Sequence, residues 1–336
     1  SSDLQNMKNN KQPSRRQLLA AGSLASLGLL WASNSSFNFA KPNSVFGGVQ
    51  IGTITYSFRS MPGDIKQIIQ YCVDSGVSAI ELMGDAVEEY AGRPVNPVPM
   101  RWTPGQPRPT FTDEQRAQMA QYQKDVSAWR ETVSMDKFKE VRKLLDQAGI
   151  SVYAYKPNAF GEKNSDAEIE SALRAAKVLG AKSVTVELPS AAQTQRLGAL
   201  GEKHKIYFGY HTHTQVKDTV YDEALAQNPY NSINLDAGHY IAVGAPHTTA
   251  SLLAFIEAKH DRITSMHIKD RTSKEHGAGN LEWGKGDTPL KEVLTLVKKN
   301  KYKFPATVEL EYDVPAGSTA VEEVKKCVAY AKNILV

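Results

Sequence analysis

The chain has 336 residues, of which 41% are hydrophobic and 23% are charged, and its formal net charge is +4. That length is enough to bury one large core. Residues 1–40 hold four basic residues against one acidic residue, so the rest of the chain is close to neutral. A near-neutral body gives no electrostatic reason to expect nucleic acid or a membrane surface as a partner.

The N-terminus has the pattern of an export signal. Arg15 and Arg16 directly precede a mostly apolar run over 18–32 that is rich in glycine and serine. Such a run is too short to span a bilayer comfortably, and paired arginines before it are typical of the twin-arginine route. We predict a twin-arginine signal peptide with a linker over 1–40, cleavage within 32–41, and a periplasmic or exported protein with no membrane span after processing. The alternative is a buried helix that follows two surface arginines.

Eight β-rich runs alternate with eight helical patterns from residue 49 onward. The predicted strands cover 49–57, 77–83, 150–156, 182–187, 205–211, 230–236, 262–268 and 304–311. The predicted helices cover 63–75, 134–148, 166–179, 191–203, 217–227, 249–260, 288–300 and 319–334. Strands that alternate with amphipathic helices indicate βαβ units and a parallel sheet. Eight units favour closure into a single-domain α/β fold, a (β/α)8 TIM barrel over 47–336. No glycine-rich G-x-G-x-x-G follows the first strand to indicate a dinucleotide-binding sheet.

A long insertion separates the second predicted strand from its helix. Residues 85–133 contain several prolines and then a polar helical stretch near 113–130. A βα loop lies on the catalytic face of a barrel, and loops this long are usually functional. We interpret the insertion as a lid or specificity loop, in which Arg101, Trp102 and Arg108 contact a sugar or a partner subunit of a homo-oligomer. The alternative is a surface decoration.

The two cysteines, Cys72 and Cys327, give neither a disulfide framework nor a zinc-finger spacing. They fall on the first and last predicted helices, which are neighbours in a closed barrel, so an oxidising compartment would allow a bridge. The preferred interpretation is two buried free thiols.

Carboxylates and imidazoles stand at the ends of the strands. Asp236 ends the sixth strand, His267 the seventh and Glu187 the fourth, while Glu309 lies on the eighth. A (β/α)8 barrel builds a metal site from such groups at the ends of successive strands. Glu311 shares a strand face with Glu309, and the two carboxylates would repel each other without a cation or proton between them.

The predicted ligands of one divalent metal ion are therefore Glu187, Asp236, His267 and Glu309. Oxygen and imidazole ligands suit Mn²⁺, Mg²⁺, Co²⁺ or Zn²⁺, and the sequence does not choose among these ions. The first ligand stays open between Glu187 and a histidine of the fifth strand.

Candidate catalytic residues neighbour these ligands. Lys269 shares a face with the histidine of the seventh strand and could bind a substrate oxygen or stabilise an enediolate, with Asp270 orienting one of the two. Glu187 is a ligand or the base. His211 and His213 lie on one side of the fifth strand's end, and one of them is a ligand or an acid–base group, with His213 favoured at the rim. The full catalytic set is Glu187, Glu309, His213 and Lys269.

The predicted substrate contacts lie at the same end of the barrel. They are Glu81, Lys156, His211, His239, Glu311 and Trp283. His239 follows Asp236 across a glycine, so both can face one ion. Trp283 begins a glycine-containing loop over 283–287 that could close over the ligand.

The motifs SAIELMGD, GYHTH, NLDAGH, MHIKD, EWGKGDTPLKEV and ATVELEY, taken in order, resemble the xylose isomerase-like barrel superfamily. More narrowly, they resemble its exported members labelled sugar phosphate isomerase/epimerase, over 47–336. The resemblance implies a divalent metal ion held from late strands, here by Asp236, His267 and Glu309 with one further acidic ligand. In epimerases of the superfamily a glutamate on the fifth strand is both ligand and base. This chain has His211 and His213 there, so Glu187 or a histidine would take that place.

The resulting interpretation is a metal-dependent sugar isomerase or epimerase that removes a proton next to a carbonyl of a free or oxidised carbohydrate, a small-molecule substrate. The runner-up is a lyase or hydratase that acts on 3-keto sugars or glycosides. Two further alternatives are a phosphodiesterase, against which the near-neutral body argues, and a sugar-binding barrel without catalysis.

Overall fold

The computed structural model describes residues 41–98 and 110–336. The predicted signal peptide lies outside these residues, and so do Arg101, Trp102 and Arg108. Residues Lys41–Val336 form one compact unit.

Eight parallel strands close into a barrel. In chain order the strands are β1 (Val45–Phe46), β2 (Val49–Ile54), β3 (Ala79–Met83), β4 (Ser151–Lys156), β5 (Ser183–Glu187), β6 (Tyr207–His211), β7 (Asn231–Asp236), β8 (Ile263–Ile268), β9 (Asp270–Arg271), β10 (Asn280–Leu281) and β11 (Ala306–Val308). The barrel consists of β2 to β8 and β11, and it closes because β2 pairs in parallel with both β3 and β11. The predicted (β/α)8 barrel is confirmed.

The helices surround the barrel. They are α1 (Ile65–Asp74), α2 (Gly84–Tyr90), α3 (Asp113–Thr132), α4 (Asp136–Ala148), α5 (Asp166–Leu179), α6 (Ala191–His204), α7 (Asp222–Gln227), α8 (Ala237–Ala242), α9 (Thr249–Lys259), α10 (Leu290–Asn300) and α11 (Ala320–Leu335). Short 3-10 turns lie at Thr55–Phe58 and Lys274–His276. Each predicted helix overlaps one of these. Within the described ranges no helix combines the length and apolar character needed to cross a membrane.

Local sequence signals explain where helices begin and end. Ser165 caps α5 by accepting the Glu168 N–H at 3.2 Å, and the Glu168 side chain accepts the Ser165 N–H at 2.9 Å. Such a capping box satisfies amide groups that the first turn leaves unpaired. The same helix ends at Gly180, whose φ of 89° lies in the left-handed region that favours glycine.

The eighth barrel strand is shorter than predicted. It covers Ala306–Val308, whereas the sequence predicted 304–311. Glu309 and Glu311 therefore lie in the loop just beyond it, and the Glu309 N–H still donates to the Ile268 carbonyl at 3.2 Å. That bond continues the contact with β8 and keeps the loop at the barrel mouth.

The long insertion after β3 is confirmed, and the predicted polar stretch forms α3. Arg130 of α3 is buried and donates to Glu88 of α2 through Nε at 3.1 Å and Nη2 at 2.9 Å. Its Nη1 donates to the Asn158 carbonyl at 2.8 Å. These bonds join α3 to α2 and to the loop after β4.

Cys72 on α1 and Cys327 on α11 are buried free thiols. Their helices are in contact, as the closed barrel predicted. The preferred interpretation of the two cysteines is confirmed.

Candidate metal centre and active site

The registers of neighbouring strands bring the predicted residues together at the barrel mouth. Pairing of β7 with β8 sets Asp236 opposite His267, and pairing of β5 with β6 sets Glu187 opposite His211. Asp236, His211 and His267 are each at most 2% exposed. Their ring nitrogens and carboxylate oxygens face one another across the barrel mouth.

Asp236 uses its two oxygens differently. It is the N-cap of α8, and Oδ1 accepts the His239 N–H at 2.6 Å. Oδ2 is buried and has no hydrogen-bond partner among residues 41–98 and 110–336. The cap fixes the orientation of the carboxylate, and the Lys269 ammonium, 3.0 Å from Oδ2, is a cation close to this oxygen.

His267 binds a carboxylate at each ring nitrogen. Nε2 lies 2.8 Å from Glu81 Oε2, and Nδ1 lies 2.9 Å from Glu309 Oε2. Burial alone lowers the pKa of His267, but the charges of Glu309 and Glu81 raise it to about 10. The ring is therefore an imidazolium in this arrangement, and a metal ion bound at Nδ1 would have to displace its proton.

Glu81 is itself held by hydrogen bonds on the side of His267 that carries Nε2. Its Oε1 accepts the Thr185 hydroxyl at 2.6 Å, and its Oε2 accepts the Asn234 Nδ2 at 3.0 Å. Strand registers shift next to Glu81 and next to Asn234, and such irregularities re-aim side chains. Burial raises the pKa of Glu81, but the charge and hydrogen bond of His267 lower it to about 2. The side chain is fully buried with both oxygens engaged, which favours a role in orienting His267 over the predicted substrate contact.

Lys269 supplies a positive charge to the carboxylates of the mouth. Its Nζ lies 3.0 Å from Asp236 Oδ2, 2.6 Å from Glu309 Oε2 and 2.7 Å from Glu311 Oε2. Burial lowers the pKa of Lys269, but these three carboxylates raise it above its usual range. The repulsion expected between Glu309 and Glu311 is thus relieved by an ammonium group, so that pair alone does not require a metal ion.

The donor set nevertheless fits a metal ion. One ligand atom from each of His211, Asp236 and His267 lies within 4.8 Å of the others. Asp236 Oδ2 is 3.9 Å from His211 Nε2 and 3.9 Å from His267 Nδ1. Burial, with the charges of Lys156 and His267, lowers the pKa of His211 to about 3, so this ring is neutral. Neutral imidazole and carboxylate suit a divalent transition-metal ion.

A second group, His211, His213 and His239, also has ligand atoms within 4.8 Å. Both ring nitrogens of His239 already face cationic donors, Lys269 Nζ at 3.0 Å and Arg271 Nη1 at 2.6 Å. Burial and the charge of Lys269 lower the pKa of His239 to about 2. Both nitrogens of His239 are thus occupied, and the second group contains no carboxylate, whereas the first group includes Asp236, so the first group is the better candidate.

Glu187 and His213 form a pair at the rim. Glu187 Oε2 lies 3.2 Å from His213 Nδ1, both side chains are about half exposed, and Glu187 Oε1 accepts the Lys156 ammonium at 3.1 Å. Burial raises the pKa of Glu187, but the hydrogen bond of His213 and the charges of His211 and Lys156 lower it to about 2. The same hydrogen bond raises the pKa of His213. Glu187 is in neither group with ligand spacing, and its assignment as a ligand stays a prediction.

Trp283 packs against a helix, and its predicted contact with the substrate stays a prediction. Its ring packs edge-on against Tyr330 of α11, with centroids 5.9 Å apart. The loop behind it is held by Asp270, whose Oδ2 accepts the N–H groups of Gly284, Lys285 and Gly286 at 2.7, 3.0 and 2.9 Å. A Cβ atom at position 286 would collide with this carboxylate, which explains the glycine there. Asp270 therefore orients the loop, whereas the sequence suggested that it orients a catalytic side chain.

Three residues of the site were not predicted. They are Thr185, Asn234 and Arg271, and all three are buried. Thr185 and Asn234 each lie two residues before a predicted site residue in the same strand, so strand alternation gives them the same face. Arg271 follows Lys269 by two residues and lies in β9. A polar residue in the interior of a β-rich run was the signal that could have found Thr185 and Asn234.

Three solved structures with the same fold are distant in sequence from this chain. A sugar phosphate isomerase/epimerase from Parabacteroides distasonis is 18% identical, with a TM-score of 0.55 over 90% of this chain and 100% of that one. A probable 3-DHS dehydratase from Bacillus anthracis is 14% identical, with a TM-score of 0.58 over 83% and 97%. A 3-keto-D-glucoside 4-epimerase from E. coli is 14% identical, with a TM-score of 0.55 over 85% and 99%. At these identities the likeness shows the fold alone.

No curated protein is significantly similar to the chain. The model of the xylose isomerase-like TIM barrel family matches residues 69–330. That range contains β3 to β11 and every residue of the candidate centre. The chain belongs to the xylose isomerase-like TIM barrel family.

Proposed function

We propose that the protein is a divalent-metal-dependent sugar isomerase or epimerase that removes a proton next to a carbonyl of a free or oxidised carbohydrate. The observation that carries this proposal is the buried Asp236 Oδ2, which lies 3.9 Å from a ring nitrogen of both His211 and His267. It has no hydrogen-bond partner in the described part of the chain, and the Lys269 ammonium lies 3.0 Å from it. A carboxylate–imidazole pair stands beside it at the rim. Membership of the family supports a small carbohydrate as the substrate.

The proposed metal ligands are Asp236, His267 and Glu309, with one more from Glu187 or a histidine of β6. A divalent ion held there supplies a Lewis acid that polarises a carbonyl or hydroxyl pair of the sugar. Glu81 fixes the ring of His267 from the opposite side at 2.8 Å. Such a partner orients a ligating histidine and increases its basicity.

Glu187 and His213 are the proposed proton-transfer pair. They are the acid–base groups at the rim that are open to a substrate, since both are about half exposed. The low pKa of Glu187 comes partly from Lys156. A sugar hydroxyl that takes over the Lys156 contact would return the pKa of Glu187 toward its usual range and make it a better base. His213 then returns a proton to another face or carbon.

Lys269 is proposed to bind the oxygen on which negative charge develops. Its ammonium already lies among Asp236, Glu309 and Glu311 at 2.6 to 3.0 Å. A preorganised cation in a buried site stabilises a developing oxyanion without reorganising at the moment of reaction.

The second candidate is a lyase or hydratase that acts on 3-keto sugars or glycosides. Elimination begins with the same proton removal, so the same residues would serve it. Among the structural neighbours, one carries the description of a probable dehydratase and another that of a 3-keto-glucoside epimerase. Product identity distinguishes the two candidates.

Residues 1–40 are proposed to direct export through the twin-arginine route, which carries folded proteins and would allow a metal ion to be loaded before export. Replacement of both Arg15 and Arg16 by lysine should keep the protein in the cytoplasm. Fractionation of the bacterial cell measures this, and unchanged export would contradict it.

The reaction is tested by incubating the purified protein with free sugars and 3-keto sugars, with and without a chelator, and identifying products by NMR in D₂O. We expect solvent deuterium at the carbon next to the carbonyl, loss of turnover with chelator, and its return on adding metal. Glu187→Gln should lower kcat by about 10²- to 10⁴-fold, the range of general-base catalysis, and Glu282→Gln, at a partly exposed carboxylate that pairs with Lys285, is the matched control. Turnover that survives complete metal removal would contradict the proposal.

A further inference from the structure

We propose, resting on the metal dependence of the proposed function, that His211 is the remaining ligand through Nε2. The centre then consists of two imidazoles and two carboxylates, His211, His267, Asp236 and Glu309. Such a centre selects a borderline ion such as Zn²⁺ or Co²⁺ over Mg²⁺ and Mn²⁺.

The tautomer of His211 follows from its neighbours. Asn234 Nδ2 donates to Glu81 Oε2 and to Ser265 Oγ, each at 3.0 Å. The amide oxygen of Asn234 therefore faces His211 Nδ1, at 3.2 Å. A carbonyl oxygen only accepts hydrogen bonds, so Nδ1 carries the hydrogen and Nε2 carries the lone pair. A ligating histidine usually has its second nitrogen fixed by such a hydrogen bond.

The lone pair of His211 faces another acceptor. Its Nε2 lies 3.9 Å from Asp236 Oδ2, which has no hydrogen-bond partner within the described ranges. The ammonium of Lys269 lies 3.0 Å from that oxygen, but its hydrogen bonds are made to Glu311 and His239. Two buried acceptors that face each other repel unless a cation lies between them.

The spacing suits such a cation. His267 Nδ1 is also 3.9 Å from Asp236 Oδ2. Ligand atoms bound at about 2.0–2.2 Å from a tetrahedral or octahedral ion lie about 2.8–3.6 Å apart. Small side-chain movements would therefore bring both rings and the carboxylate to bonding distance, and Glu309 Oε2 is already 2.9 Å from His267 Nδ1.

Glu187 and His213 are less suited to be the remaining ligand. Both oxygens of Glu187 are engaged, one by Lys156 and one by His213. Each side chain is about half exposed, whereas His211 is 2% exposed and beside Asp236. These two residues remain free for the reacting part of the substrate.

An imidazole ligand in place of a carboxylate changes the electrostatics of the centre. A carboxylate at the position of His211 would give three negative ligands, whereas the imidazole leaves two, Asp236 and Glu309. Lys269 contacts both at 3.0 and 2.6 Å and weakens their field further. Hard ions such as Mg²⁺ depend on negatively charged oxygen ligands, whereas Zn²⁺ and Co²⁺ bind imidazole well.

Metal binding to the full chain tests this directly. Metal-stripped protein is titrated with Zn²⁺, Co²⁺, Mn²⁺ and Mg²⁺ against a chromophoric chelator, for the wild type, His211→Glu and His213→Glu. Zn²⁺ binds more tightly than Mn²⁺ at most sites, so the informative quantity is the change in their affinity ratio. We expect His211→Glu to lower the Zn²⁺/Mn²⁺ ratio at least about tenfold, because it exchanges an imidazole for a hard oxygen ligand. The exposed control His213→Glu should leave the ratio unchanged.

A second measurement does not need His211→Glu, in case that variant does not fold. Pulsed EPR of the Cu²⁺-loaded protein counts coordinated imidazoles. Two imidazoles are expected, with one lost in His267→Gln and none lost in His213→Gln.

One imidazole in the wild type, or an unchanged affinity ratio in a folded His211→Glu, overturns the assignment of His211. Failure to bind any of the ions overturns both the assignment and metal dependence. Two imidazoles without sugar turnover uphold the assignment and contradict the proposed reaction alone.

Discussion

His267 is the most constrained side chain at the barrel mouth, because Glu81 and Glu309 bind its two ring nitrogens at 2.8 and 2.9 Å. In the absence of metal the ring carries a proton that neutralises part of the surrounding negative charge. The same ring is a ligand only after that proton leaves. Proton and metal ion therefore compete for one nitrogen of one residue.

The stability of metal-stripped protein should depend on this proton. The pKa of His267 is about 10 in the folded protein, against 6.5 for the free side chain. The protonated ring makes its full contribution to the free energy of unfolding below pH 6.5, the pKa of the free side chain. This contribution disappears as the pH rises toward 10, the pKa in the folded protein. We expect the urea midpoint of metal-stripped wild type to fall across this window and that of His267→Gln to change less. A wild-type midpoint that stays constant over the window would contradict this role.

Side-chain alternation accounts for the part of the site that the sequence could predict. Asp236 and His267 end β-rich runs and Lys269 directly follows one, so their shared direction is readable without a structure. That Lys269 reaches three carboxylates depends on how far each strand extends, which barrel stagger decides. Glu81 was placed in the correct strand, but its burial beneath His267 depends on the same stagger.

The conformation of the loop between β10 and α10 depends on the carboxylate of Asp270. Asp270 accepts three successive backbone N–H groups from residues 284–286. Charge-assisted bonds of this kind are stronger than neutral ones. The anchor holds Trp283 against α11 and keeps the loop at the end of the barrel where the ligands lie.

Replacement of this anchor should loosen the loop. Asp270→Asn keeps the shape but weakens the charge-assisted bonds, each worth about 1.5–3 kcal/mol. We expect faster hydrogen exchange at 284–288 and a higher KM with a smaller change in kcat. The control is Glu282→Gln, since Glu282 pairs only with Lys285 at 3.0 Å among the described residues. Equal exchange rates in Asp270→Asn and wild type would show that the carboxylate does not hold the loop.

The helices were predictable to different degrees. The boundaries of α5 match the predicted 166–179, because Ser165 and Gly180 mark its ends. The short helices α2 and α8 begin directly at strand ends, where the sequence indicated loop. Asp236 explains α8, since one carboxylate oxygen caps the helix, and a capping role cannot be separated from a ligand role by residue type alone.

The whole barrel was predictable because eight alternating units leave few topologies that bury a parallel sheet. The way in which the insertion packs was not. Arg130 reaches Glu88 across 42 residues of chain, and no local pattern pairs them. The insertion and the centre share this property, since both depend on contacts between residues that are far apart in the chain.

The binding of one divalent ion at Asp236 is tested most directly by the anomalous diffraction of crystals grown with Zn²⁺ or Mn²⁺, together with metal analysis. We expect one anomalous peak per chain next to Asp236 Oδ2, and near-complete loss of bound metal in Asp236→Asn. Glu187→Gln should keep the ion, because His211 and not Glu187 completes the centre. No peak in wild-type crystals, or full metal content in Asp236→Asn, would contradict the assignment.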